Sequence, residues 1–271
     1  MSDLSPNLIP AETPAPKYLS GLRTVLRDVM SRPSGAIGLS LVVFHVLLAL
    51  TSPLYVPYDF KTMNSMLMLM PPSSEHWLGT DHLGRDVLTR VLLGGREALL
   101  VTGVATPIAV VWGGFMGILF GLVGGRIDEV LIPTLAFFYG IPVIRIARAA
   151  THDVVARDFI SAAKARGHGR MTIIRRELVP NVLDTLMVEG AMRWSWMLLA
   201  FSSLSFLGFG VSPPTPDWGL MIADARGFMS FAPWGVLGPV IALSSLIIGI
   251  NLTADALAKA LGIDRAQKAP V

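Results

Sequence analysis

Uncharged, strongly apolar stretches recur along the chain, separated by segments dense in charge, proline and glycine. A helix needs about 20 apolar residues to cross a hydrocarbon core about 30 Å thick. Three stretches reach that length without one Asp, Glu, Lys or Arg: Ser34 to Val56, Ala98 to Gly125 and Phe228 to Ala254. A fourth, Val182 to Leu207, carries Asp184, Glu189 and Arg193 in its first half and is free of charge from Trp194 onward. Leu131 to Ile144 supplies only 14 uncharged residues, interrupted by Pro133, Gly140 and Pro142. Segments of that length are more often re-entrant or interfacial than spanning. The pattern predicts an all-α polytopic membrane protein with four full transmembrane helices and one short apolar half-span.

Charge places the loops. Lys and Arg near the ends of spans mark the cytoplasmic side. Arg145 to Pro180 holds eight basic residues against Asp153, Asp158 and Glu177, whereas Phe209 to Gly227 holds only Arg226. The basic segment is therefore expected in the cytoplasm. Counting spans outward from it puts both termini there too, in agreement with Lys17 to Arg32 at one end and Lys259, Arg265 and Lys268 at the other. Pro57 to about Arg96 then faces outside. The expected organisation is a cytoplasmic tail over 1–33, a membrane domain over 34–256 with its cytoplasmic loop at 145–180, and a second cytoplasmic tail over 257–271.

Composition agrees with this reading. Mean hydropathy is +0.59 and charged residues make up 15%, where soluble domains carry about 25%. A formal charge of +3 is too small to imply nucleic-acid binding. The absence of cysteine excludes disulfides, thiol nucleophiles and thiolate metal sites. The five histidines, at 45, 76, 82, 152 and 168, form no i,i+4 pair and no HExxH, so no metal or cofactor is expected. No G-x-x-x-x-G-K-[ST] phosphate cradle occurs, so any ATP hydrolysis falls to another chain and this one is not expected to be an enzyme.

Within the basic segment, Asp153 to Arg176 alternates apolar and charged residues at helical spacing, broken by Gly167-His168-Gly169. Two short amphipathic helices joined by a glycine turn would form a compact knob for a partner protein, or an interfacial helix on anionic lipid. Ser161-Ala162-Ala163-Lys164-Ala165-Arg166-Gly167, followed after nine residues by Glu177-Leu178-Val179-Pro180-Asn181, resembles the "EAA" loop of binding-protein-dependent ABC importer permeases. Leu204 to Gly219, with Phe206-Leu207-Gly208-Phe209-Gly210 and Pro213-Pro214-Thr215-Pro216-Asp217-Trp218-Gly219, is similar to the end of the penultimate span in dipeptide, oligopeptide and nickel permeases of the C type. Trp77 to Asp86 resembles the lead into their second span. Two positions depart from the pattern, Ser161 where Glu is common and Glu177 where an apolar residue or His is usual.

The resemblance implies a coupling loop that docks on an ATPase through Ser161, Ala162, Ala163, Gly167 and Pro180. It implies a second permease subunit, two ATPase subunits and an extracytoplasmic solute-binding protein as partners, in the lipid bilayer of a bacterial inner membrane. The chain would form half of a pathway for peptides or related small solutes. The family normally has two further spans before the coupling loop, and roughly one helical hairpin is absent here, so a truncated scaffold that binds the same partners without transporting is the alternative.

Other residues admit two readings. Glu189 and Arg193 lie at i,i+4, as an ordinary pair near the membrane surface or as groups lining the pathway. Pro214 and Trp218 belong to a stiff structural turn over the outer mouth, or to a docking edge for the binding protein. Asp81, Arg85 and Asp86 read as a solvated helix face or an outer docking site. Gly113, Gly117 and Gly121 are spaced for close helix packing.

Overall fold

The computed structural model describes residues 21–123 and 142–262, and these residues are helical apart from loops and one isolated bridge between Thr80 and Asp86. Nine helices are used below. They are α1 (Gly21–Met30), α2 (Pro33–Thr51), α3 (Val87–Val123), α4 (Pro142–Val155), α5 (Asp158–Ala165), α6 (Arg170–Ile173), α7 (Val179–Phe206), α8 (Trp218–Ala225) and α9 (Trp234–Leu261). Three have the length and apolarity to cross a membrane: Pro33–Leu54, Val87–Leu119 and Trp234–Leu261. Each overlaps one of the three uncharged stretches, and a helix pairs every backbone N–H and C=O that lipid would leave unsatisfied.

The centre of the bundle forms where α2, α3, α7, α8 and α9 meet. Ala49, Val87, Leu99, Leu198, Trp218, Leu246 and Ile250 are buried there together. α2 and α9 pack closely at Gly38, where a Cβ would come within 2.8 Å of the Gly249 carbonyl oxygen. Several polar groups inside the bundle are paired, which offsets the cost of burying them. Trp194 Nε1 donates to Thr102 Oγ1 at 3.0 Å, and Ser195 Oγ donates to Asn251 Oδ1 at 2.9 Å. Buried His45 lies between the Leu41 carbonyl (2.8 Å) and the Ser245 hydroxyl (3.2 Å), with its ring edge-on to Trp218. Val104, Ile108, Val111, Trp112 and Phe115 are exposed along α3 and give it a lipid-compatible face.

Several expectations change. Gly21–Met30, within the expected polar tail, is a helix whose Val25 and Val29 are buried, Val29 against Ala256 and Ala260 at the end of α9. Of the expected half-span, 131–141 lies outside the described residues, and Val143 and Ile144 lie in the first turn of the amphipathic helix α4. α4 packs on the far end of α3, where a Cβ on Gly117 would meet Ala147 Cβ. The small-residue face of the second span thus receives a helix that carries Arg145, Arg148 and Asp153. The fourth expected span is a 28-residue helix, α7, which keeps Asp184, Glu189 and Arg193 and is not among the three qualifying spans. Pro180 is the second residue of α7. The chain stays helical from Arg170 through a π turn (Ile174–Leu178) into α7, with proline tolerated in the first turn of α7.

Candidate functional site

Two constructions stand out, one at each end of the bundle. The first is the knob between α4 and α7. α5 and α6 are held together by Ile160, Ala163 and Ile173, all buried, with Phe159 against them. The turn between them is closed by backbone bonds from Gly167 N to the Lys164 carbonyl (3.0 Å) and from His168 N to the Ala163 carbonyl (3.2 Å). Gly167 sits at φ +79°, in the left-handed region, with nothing within 4 Å of where a Cβ would be. Only backbone conformation therefore demands glycine there. Ser161 and Ala162 face outward, Ala163 faces inward, and Pro180 is half-buried one turn into the next helix. The short apolar core fixes the angle between α5 and α6 and leaves their outer faces free.

The second construction caps the opposite end. Asp81 accepts from Leu83 N (2.8 Å), Arg85 N (2.9 Å) and Arg85 Nε (2.6 Å). Asp86 receives His76 Nδ1 at 2.9 Å and caps the start of α3 by accepting from Thr89 N at 2.7 Å. Arg90 reaches across to donate to the Pro214 carbonyl at 3.2 Å, and Trp234 Nε1 donates to the Thr80 carbonyl at 3.1 Å. Arg85, Asp86 and Arg90 are buried. The expected solvated helix face is therefore corrected: these residues precede α3 or fill its first turn, and bond to one another because burial leaves no water to do so.

Trp218 belongs to this cap. It is only 3% exposed, its Nε1 donates to the Val91 carbonyl at 2.8 Å, and its ring fills the space above Gly94 and Gly95. Of its two readings, a structural turn or a docking edge, its burial between α8 and α3 accords with the structural one. Pro214 is exposed, in a turn with a cis Pro213–Pro214 bond. Asp217 caps α8 by accepting from Leu220 N at 3.1 Å. Burial raises its carboxyl above the ordinary range, against the opposing pull of hydrogen bonds from the Leu220 N–H, the Ser205 hydroxyl and the Gly219 N–H.

Glu189 and Arg193 meet on one face of α7, Arg193 Nε to Glu189 Oε1 at 2.5 Å, with Glu189 buried. Arg90, Asp224 and Trp234 were not singled out by sequence reasoning. The one signal for them was charge crowded directly ahead of an uncharged run. Among the described residues no three His, Asp or Glu side chains gather as metal ligands.

A profile of the family described as "Binding-protein-dependent transport system inner membrane component" matches residues 97–263. The chain belongs to this family. The match takes in most of α3, α4, the knob, α7, α8 and α9. Among similar proteins, the dipeptide transport system permease protein DppC of Alkalihalophilus pseudofirmus is 29% identical, with 90% of each chain covered. The nickel transport system permease protein NikC of Escherichia coli is 32% identical over 84% of this chain and 93% of its own. The oligopeptide transport system permease protein OppC of Bacillus subtilis is 25% identical over 93% of this chain and 92% of its own. The alignment to DppC runs over 273 positions but takes in 90% of 271 residues, about 244, so about 29 positions face gaps in this chain. That permease is longer inside the aligned region.

Proposed function

We propose that this permease forms half of the solute pathway of an ATP-driven importer and passes movement to it from a separate ATPase through the α5–α6 knob. Exposed Ser161 and Ala162 make the contact, buried Ala163 packs beneath them, and Gly167 and Pro180 shape the turn and the head of α7 that hold it. α7 is the fourth full span, the knob and both termini are cytoplasmic, and the Pro213–Pro216 turn and α8 lie at the outer mouth. The partners are a second permease, two ATPase subunits and an extracytoplasmic binding protein. Peptides or other small solutes are the cargo, in keeping with the names of the similar permeases.

The observation that carries this reading is the rigid turn at Gly167. Its φ of +79° and the three-residue core beneath it hold a small protruding hairpin at a fixed angle at the head of a continuous helix. Such a lever can transmit a displacement along α7 as a rigid body. Glu189 and Arg193, paired within α7, are the groups proposed to border the pathway.

The second reading, a scaffold that binds the partners without transporting, is favoured by one observation. About 29 positions of the alignment to DppC are missing from this chain. We place that gap between α3 and α4, where a helical hairpin would otherwise fit. Purification with the ATPase subunits separates the readings. A permease raises ATP turnover when substrate-loaded binding protein is added, whereas a scaffold holds the ATPases without stimulation.

A further inference from the structure

Cations crowd the knob without partners. Arg157, Lys164, Arg166, Arg170, Arg175 and Arg176 are all exposed, and none of them makes an ion pair or side-chain hydrogen bond with another described residue. Asp158 and Glu177 are the only acids between Arg157 and Pro180. Charges normally settle near an opposite charge when one is in reach. These remain open to solvent on a hairpin whose shape is fixed from inside.

Arg157 precedes α5, and the other five divide by position. Arg175 and Arg176 stand at the base, in the π turn directly before α7, while Lys164, Arg166 and Arg170 surround the Gly167 turn at the tip. Arg170 opens α6, whose first turn contains no acid. A cation at a helix N-terminus opposes the helix dipole, so Arg170 occupies a position that local stability disfavours. Because the helix is continuous from Arg170 into α7, the tip lies twelve residues, roughly 18 Å along the axis, ahead of Val182. The surface potential of anionic lipid decays within a Debye length of about 8 Å at physiological ionic strength. Arg176 and Arg175 stand six and seven residues, about 9–10 Å, ahead of Val182, close to one Debye length, whereas the tip is more than two away.

We propose that Lys164, Arg166 and Arg170 form a basic tip that seats in an acidic cleft of the ATPase subunit, so that association is steered by charge and seated by the shape of the Gly167 turn. This rests on the coupling reading above and adds the chemistry of the partner surface. Complementary charge mainly accelerates encounter and selects the partner. The tip would therefore discriminate the cognate ATPase from others whose cleft is neutral or basic, while Ala162 and the turn itself supply the close contact.

The test uses the chain assembled with its partner permease in nanodiscs, and the purified cognate ATPase subunits as titrant. A tip variant, Lys164→Gln with Arg166→Gln and Arg170→Gln, is compared with a base variant, Arg175→Gln with Arg176→Gln. Both are measured in phosphatidylcholine alone and in phosphatidylcholine with phosphatidylglycerol, at about 0.05 and about 0.3 M salt. The tip variant should lose affinity for the ATPase on the order of ten-fold at the lower salt and lose most of the salt dependence, in both lipids. The base variant should keep wild-type affinity in phosphatidylcholine. Unchanged affinity and salt dependence in the tip variant would overturn the acidic-cleft proposal. So would a loss confined to the phosphatidylglycerol membranes, which would assign the cations to lipid. Gly167→Val in the same nanodiscs keeps the two claims apart: if it uncouples the ATPase while the tip variant does not weaken binding, the coupling loop stands and only its electrostatic partner is wrong.

Discussion

Replacing Gly167 by valine isolates the backbone geometry on which the coupling reading rests. At φ +79° an L-residue costs about 1–2 kcal/mol, and a β-branched one sits at the upper end. Nothing lies within 4 Å of the added Cβ, so no steric clash with the rest of the protein adds to that cost. Opposing it, Ile160 and Ile173 are buried in the knob, each worth about 1.5–3 kcal/mol. The hairpin should therefore survive, but with its turn shifted away from the docking angle by roughly a factor of ten, the equivalent of about 1.4 kcal/mol. Membrane insertion and yield should match wild type, while stimulation of the ATPase by loaded binding protein falls several-fold. Two controls sharpen the test. Gly167→Asn, which tolerates left-handed backbone, should retain most stimulation. Gly169→Ala should be neutral, because Gly169 has φ −62° and open space around it. Wild-type stimulation in Gly167→Val, or equal damage from Asn and Val, would refute the reasoning.

Cysteines introduced singly at Ser161 and Thr215 in this cysteine-free chain should react with impermeant reagent from opposite sides of the membrane, and same-side labelling would overturn the topology. Trp218→Ala removes a buried ring and its bond to the Val91 carbonyl, so thermal stability in detergent should drop by the equivalent of about 3–5 kcal/mol, with Trp218→Phe in between. Burial raises the Asp217 carboxyl above its unfolded value, so the folded protein binds the proton more tightly and stability falls as pH rises from the ordinary carboxylate range through the raised pKa. Asp217→Asn, read by melting across that pH range, should flatten the fall. Inserting a helical hairpin between α3 and α4 should raise both complex stability and substrate-stimulated ATP turnover. Full transport by the chain without it would show the hairpin to be dispensable.

The spans were legible because lipid imposes a length and a charge rule that a single sequence displays. Ser34 to Val56, Ala98 to Gly125 and Phe228 to Ala254 need no partner to be recognised. Gly167 was legible for a similar reason: a glycine pair around one histidine between two amphipathic runs has few uses besides a turn. The outer cap was not, because its bonds join distant parts of the chain. Arg90 and Pro214 are 124 residues apart, Trp218 and Val91 127, and Trp234 and Thr80 154. Alternation of charge around Asp81 to Arg90 cannot distinguish a buried network from a solvated helix without those partners. α1 escaped notice because its buried stripe is short, Val25 and Val29, and its docking surface lies at the far end of the chain. The start of α4 was not legible because Val143 and Ile144 continue an apolar run, while Arg145 and Arg148 make the stretch that follows amphipathic.

The central claim, that this permease moves solute by coupling to a separate ATPase, is tested most directly by uptake into proteoliposomes. The chain is reconstituted with its partner permease, ATPase subunits and binding protein, and ATP-dependent accumulation of a labelled peptide is measured against liposomes lacking this chain, with nickel ion as the alternative cargo. Accumulation of one of these solutes that requires both ATP and this chain, and that falls several-fold in Gly167→Val, is the result expected. A complex that assembles in full and hydrolyses ATP at an unstimulated rate, yet accumulates neither solute, would contradict the account and leave the chain a scaffold.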